Sequence, residues 1–269
     1  MKQCYMVIDV SLCHDCNNCF MACKDEHVGN KWLPYTDEQP RHGHRWMNVH
    51  RTERGQCPRV DVCYLPMPCQ HCQDAPCSKA HPGCISRRED GIVTINTSQA
   101  RGVKELVDSC PYGAIYWNEE ANIAQKCTMC AHLLDGNEEI KMPRCAHSCP
   151  TDAIAFYTLE PEEMDQKIRN EGLEVYRPEL GTKPNVFYKN LYRFEKAFVA
   201  GGILKNNECA EGVEVTLKGN NVKYSQITDY FGDFKFDALL PGEYTIVIGG
   251  KEVRTVLVEA SVNVGSIDI

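Results

Sequence analysis

The chain has no long apolar run. Its longest nearly uncharged apolar stretch, Ala197 to Leu204, is too short to span a bilayer. Nor has it an excess of positive charge: 29 Lys and Arg stand against 37 Asp and Glu, for a net charge of −8. That balance disfavours a nucleic-acid surface, which must displace counterions. No phosphate-binding glycine loop, nucleophile elbow or His-Glu-x-x-His pair is present. Nothing therefore points to nucleotide binding or hydrolysis, and no residue is assigned a catalytic role. The opening Met1-Lys2-Gln3-Cys4 enters an apolar strand, Tyr5 to Val10, without the longer apolar core and cleavage site of a secretion signal. A cytoplasmic protein is expected, or one carried across a membrane by a partner that bears the signal. The 269 residues, 43% hydrophobic and 25% charged, allow one large globular domain or two ordinary ones.

What the chain has in abundance is cysteine: 17, an odd number, with all but Cys209 before residue 150. Short-spaced clusters without a secretion signal favour metal ligation over disulfides. The first run, Cys13-x2-Cys16-x2-Cys19-x3-Cys23, has the ligand spacing of bacterial cluster ferredoxins, with Lys24 where proline is usual. Three thiolates on one tight loop cap three irons of a cubane, and the fourth starts a helix and serves another cluster. The second run is Cys69-x2-Cys72-x4-Cys77, with His81-Pro82 where a fourth cysteine is expected. The third keeps only Cys110-Pro111, with Ala100, Val103 and Leu106 at the other ligand positions. The fourth is Cys127-x2-Cys130-x14-Cys145-x3-Cys149-Pro150.

Because the last cysteine of a run serves the partner run's cluster, pairing first with fourth and second with third defines three complete [4Fe–4S] sets. They are Cys13, Cys16, Cys19 and Cys149; Cys127, Cys130, Cys145 and Cys23; and Cys69, Cys72, Cys77 and Cys110. The absent ligands are the whole set of a fourth cluster, so one cluster has been deleted as a unit. Ala100, Val103 and Leu106 are expected to fill its volume. His81 is a lesser ligand candidate. Structural zinc would explain the fourth run alone, but not the first run or the crossed deletion. Cys4, Cys57, Cys63, Cys84 and Cys209 are read as free thiols.

The repeats Cys110-Pro-Tyr-Gly-Ala-Ile115 and Cys149-Pro-Thr-Asp-Ala-Ile154, with the relic His81-Pro-Gly-Cys-Ile85, point to two nested ferredoxin-like units. Arg88 to Ile95 reads as a hairpin strand after the relic. The predicted organisation is α+β: a double ferredoxin-like domain over 1–157, a helical and extended connector over 158–198, and a small β-sandwich (Ig-like or transthyretin-like) over 199–269. Pro161 and Gly172 bracket a helix in the connector. Tyr188, Tyr192 and Phe194 are expected to pack in a core. The alternating segments Val213–Leu217, Phe234–Phe236, Tyr244–Ile248 and Thr255–Glu259, divided by Pro241-Gly242 and Gly249-Gly250, supply the sandwich. An insertion over 24–68 carries His42, His44, Arg45, Trp46, His50, Arg51 and Arg54. It reads equally as a docking face or cofactor cover and as a solvated loop.

The four runs, the Cys-Pro-x-x-Ala-Ile repeats and Lys126-Cys-Thr-Met-Cys130 resemble the electron-transfer subunits of the dimethyl-sulfoxide-reductase family of molybdenum enzymes, over residues 5 to 190. The appended β-segment, with Asp229-Tyr-Phe-Gly-Asp-Phe-Lys-Phe-Asp-Ala-Leu239, is similar to members that serve hydroxyl transfer, hydroxylation or dehydroxylation of polyhydroxylated aromatics. So are Gly43-His-Arg-Trp-Met-Asn48 and Tyr188-Lys-Asn-Leu-Tyr-Arg-Phe-Glu-Lys196. The resemblance implies a large catalytic partner holding molybdenum on two pyranopterin guanine dinucleotides, in a heterodimer or an oligomer of heterodimers. It also admits a subunit of another molybdenum or tungsten oxidoreductase, with an inorganic or sulfur substrate.

Overall fold

The computed structural model describes residues 1–137 and 139–269. Its contacts divide the chain into two units: Met1–His50 with Tyr64–Leu191, and Arg51–Cys63 with Tyr192–Ile269. Most of the expected connector, 158–191, thus belongs to the first unit. The tip of the hairpin formed by strands Asn48–Gln56 and Arg59–Met67 belongs to the second.

The first unit is organised on a three-stranded sheet. Strand Gln3–Asp9 lies in the middle, antiparallel to Ile154–Leu159 and parallel to Val186–Lys189. A central strand covered on both faces reads as a continuous apolar run, because both pleat faces are buried. Cys4 packs on one face with Ile92, Met129 and Ala131, and Tyr5 and Val7 on the other with Met164 and Leu173. Strands Gln3–Asp9 and Ile154–Leu159 pair with each other and enclose the intervening segment in sequence.

Inside that frame the elements are short. Helix Asn18–His27 carries Cys19 and Cys23, while Ala131–Asp135 and Arg144–His147 flank the fourth run. The hairpin after the relic differs from expectation. Its strands are Ile85–Arg87 and Val93–Ile95, and Arg88 to Gly91 form the turn. Gly91 has φ +85°, and an added Cβ would meet the Asn185 and Arg87 side chains, so glycine is needed there. Helix Pro161–Glu171 is as predicted, closed by Gly172 at φ 62° and opened by a reciprocal Glu160–Glu163 capping box. Tyr188 is fully buried, whereas Tyr192 and Phe194 are half-buried.

The second unit holds two four-stranded sheets. One contains Glu208–Cys209, Ala197–Lys205 and Asp233–Leu239, with Val262–Asp268 parallel to Ala197–Lys205. The other runs Val222–Ile227, Glu214–Gly219, Gly242–Ile248, Lys251–Val258. Alternate residues of both sheets, including Val199, Phe234 and Phe236 from the first and Val215, Leu217 and Ile246 from the second, form one apolar core. Strands Ala197–Lys205, Val222–Ile227 and Val262–Asp268 escaped the sequence reading. The first looks like a plain apolar run, and Val222–Ile227 is exposed along its length, so neither alternates in polarity.

Candidate metal centres

The first set is built at the start of helix Asn18–His27. Asp15 and Asn17, both with φ between 55° and 59°, turn the loop tightly enough to bring Cys13 and Cys16 back beside the helix. Cys13, Cys16, Cys19 and Cys149 line one small cavity with Pro66 and Ile154. Cys19 interacts electrostatically with Cys13, Cys149 and Cys16. Arg45 steadies the loop: its guanidinium donates to Asn17 Oδ1 at 2.9 Å and stacks 4.1 Å over the Phe20 ring.

A second cavity is lined by Cys23, Cys127, Cys130 and Cys145, together with His27, Trp46 and Met47. Cys23 sits one helical turn beyond Cys19 and faces this cavity rather than the first. Met129 and Cys130 both have positive φ, which curls the backbone so that the Met129 N–H points at Cys127 Sγ, 3.3 Å away. Cys69, Cys72, Cys77 and Cys110 form the third group. Cys72 interacts with the other three. They share a core with Ala100, Leu106 and Val103, so the apolar replacements pack beside the third set. His81 is half-exposed on the short turn after helix Pro76–Ala80, outside that core.

The twelve cysteines thus stand in three groups of four, and the groups follow one another in space. Cys145 of the second set feels Cys19 of the first, and Cys127 of the second feels Cys69 of the third. Burial pushes the Cys19, Cys72 and Cys130 thiols up to about 12, and Cys77 and Cys127 to about 11. Cys23 and Cys145, fully enclosed, are raised further by burial and by their neighbours. Thiolates in such places need a strong positive charge, which metal supplies. Among the described residues no three His, Cys, Asp or Glu side chains stand close enough to hold one metal ion. Four soft sulfur donors around a shared space fit a cubane, whose irons lie apart.

The His- and Arg-rich insertion divides. His42 is exposed, but His44 and Trp46 are buried: His44 Nε2 donates to the Trp117 carbonyl at 2.9 Å, and the Trp46 indole faces His44 Nδ1. Burial lowers the His44 pKa. Arg54 is held in the second unit, paired with Asp61 and Asp237. Cys4 and Cys63 are buried, Cys84 is half-buried, and Cys57 and Cys209 are exposed. Sequence reasoning missed His27, His71, Lys126 and Thr182, which surround the sets. Their signal was present only in position, one or two residues from a cysteine for His71 and Lys126.

Residues 60–159 match a family described as the 4Fe–4S dicluster domain. The chain is 55% identical, over 100% of both sequences, to the pyrogallol hydroxytransferase small subunit of Pelobacter acidigallici. It is 28% identical to a sulfite dehydrogenase subunit of Allochromatium vinosum, covering 88% of this chain and 98% of that one. It is 30% identical to a tetrathionate reductase subunit of Salmonella typhimurium, covering 72% and 74%. Among the described residues no helix is long and apolar enough to cross a membrane.

Proposed function

The chain belongs to the family of iron–sulfur subunits that includes the pyrogallol hydroxytransferase small subunit, and on that premise we propose that it relays electrons through three [4Fe–4S] clusters for a larger molybdenum-bearing partner acting on polyhydroxylated aromatics. The convergence of twelve cysteines into three fours is the observation that carries the cluster count. The ligands are Cys13, Cys16, Cys19 and Cys149; Cys127, Cys130, Cys145 and Cys23; and Cys69, Cys72, Cys77 and Cys110. When bound, the clusters supply reversible one-electron transfer. The chain's own residues bind, bury and tune them. The Met129 N–H donates to Cys127 Sγ, and the Thr182 hydroxyl stabilises Cys72 as thiolate. Both effects favour the more negative, reduced state. The fours are in a row, as a relay requires.

Identity of 55% over the full length favours an aromatic substrate over the sulfur compounds named for the relatives at 28% and 30%. The partner would hold molybdenum on two pyranopterin guanine dinucleotides and carry the active site. The two facing sheets of the second unit are read as a β-sandwich that supports assembly. Metal analysis of the complex, purified without oxygen, tests the proposal. About twelve irons per copy of this chain, at four per cluster, with about one molybdenum, is the expected result. About sixteen irons would restore a fourth cluster and overturn the deletion; zinc without a molybdenum partner would overturn the redox function.

A further inference from the structure

His71 stands between Cys69 and Cys72 and is fully buried, with φ 46°. Its Nδ1 accepts the backbone N–H of Val93 at 3.0 Å. An amide N–H can only donate, so Nδ1 carries no proton and the ring proton is on Nε2. That Nε2–H is buried and has no partner among the described residues. Such an orphaned donor is rare in a folded protein, because burial strips it of water without replacing the lost hydrogen bond.

The other backbone group of Val93 holds a second unusual side chain. Its carbonyl accepts from Lys126 Nζ, which also donates to the Cys127 carbonyl at 3.0 Å. Lys126 is only 3% exposed, and among the described residues both its hydrogen-bond partners are neutral carbonyls. Its charge acts on Cys77 and Cys110 of the third set and on Cys127 of the second. A buried ammonium without a carboxylate calls for another anion. A cubane held by four thiolates is an anion in both of its ordinary oxidation states.

We propose that Val93 locks His71 and Lys126 into a tuning pair at the junction of the second and third cysteine sets, with His71 Nε2–H donating to cluster sulfur and Lys126 supplying positive charge. This rests on the cluster assignment proposed above. Both groups stabilise the reduced cluster, because it carries one more negative charge, and so raise its potential. They are positioning residues rather than ligands: each acts on the metal through sulfur or through space.

The test uses the intact complex, purified without oxygen and labelled with 15N-histidine, in wild type and in H71L, H71Q and K126M. Iron content is measured first. A wild type without iron would refute the cluster assignment itself, whatever His71 does. In the iron-replete wild type, pulsed EPR of the reduced clusters should show a 15N coupling that H71L abolishes. A coupling from any other histidine would survive that change. Potentiometric EPR should show the midpoint of at least one couple falling in both H71L and K126M. The expected size is about tenfold in the reduction equilibrium, about 59 mV for one electron. H71Q, which keeps an N–H donor at similar reach, should recover part of the fall. Unchanged midpoints in iron-replete H71L and K126M would overturn the proposal. Should H71L fail to assemble, an unchanged midpoint in K126M or the absence of any histidine coupling in wild type would do the same.

Discussion

The two units organise their interiors in opposite ways. The second unit has two sheets whose inner residues share one apolar core. The first has short helices and hairpins, and its interior is crowded with cysteines and polar groups. Of the buried side-chain atoms without a partner among the described residues, all but Arg54 Nε belong to the first unit, including those of His27, Gln39, Gln70, His71 and Asn185. Hydrophobic burial dominates the second unit, with one buried ion network around Arg54. The first places raised-pKa thiols where an apolar core would otherwise be, and such a design is complete only with metal. The lesson is that a chain can divide its stability between two physical sources.

The largest effect expected from that contrast follows iron removal. Stripping the clusters with a chelator under reducing conditions, or replacing Cys145 with Ala, should unfold the first unit. Binding free energy in a structural metal site is folding free energy, on the order of 10 kcal/mol. The second unit should stay folded, and limited proteolysis with mass spectrometry would show protected fragments covering 51–63 and 192–269. Equal loss of protection in both units would break the comparison.

A middle-sized effect sharpens it from the other side. In the second unit Arg54 donates to Asp237 at 2.8 Å and to Asp61 at 2.5 Å, and its side chain is only 5% exposed. R54A removes the buried centre of the network but leaves Asp61 with Arg193 and Lys235 and Asp237 with Lys235, so it should cost about 1–3 kcal/mol, read as a lower melting temperature of that unit with iron content unchanged. The same network gives a pH dependence. Burial pushes Asp61 up, but Arg54 and Lys235 outweigh it and hold the pKa down at about 2. A folded pKa below the ordinary value of about 3.9 means that the contribution is present above pH 4. It is lost as the pH falls from about 4 to about 2. R54A should flatten that acid limb in thermal melts, and an unaltered limb would remove the network from the account.

The smallest effect belongs to the first unit and does not act through the metal. Gly172 closes helix Pro161–Glu171 in the left-handed region, and nothing lies within 4 Å of a Cβ added there. G172A should therefore cost about 1 kcal/mol from backbone strain alone. Denaturant titration of the iron-loaded protein measures it, and a loss of several kcal/mol would reveal an unseen contact.

How much was legible beforehand follows from what each feature depends on. Tight cysteine spacings and Cys-Pro-x-x-Ala-Ile repeats are local, and a thiolate's chemistry does not change with its neighbours. The grouping of the cysteines and the nested units therefore stood in the sequence, as did the helix bracketed by Pro161 and Gly172 and the strands of alternating polarity. The strand Val222–Ile227 did not, because an edge strand exposed on both faces has no polarity pattern. Residues of the His- and Arg-rich insertion looked alike in sequence, yet His42 is exposed, His44 is buried and Arg54 joins an ion network in the second unit.

Sequence by itself determined which donors this protein owns and how they are grouped, since ligand type and loop spacing are properties of the chain. Tertiary structure alone decided how burial and neighbouring charge act on each donor. Val93 shows the reason: its N–H and C=O orient His71, 22 positions away, and Lys126, 33 positions away. No local pattern encodes such contacts; only packing brings their members together.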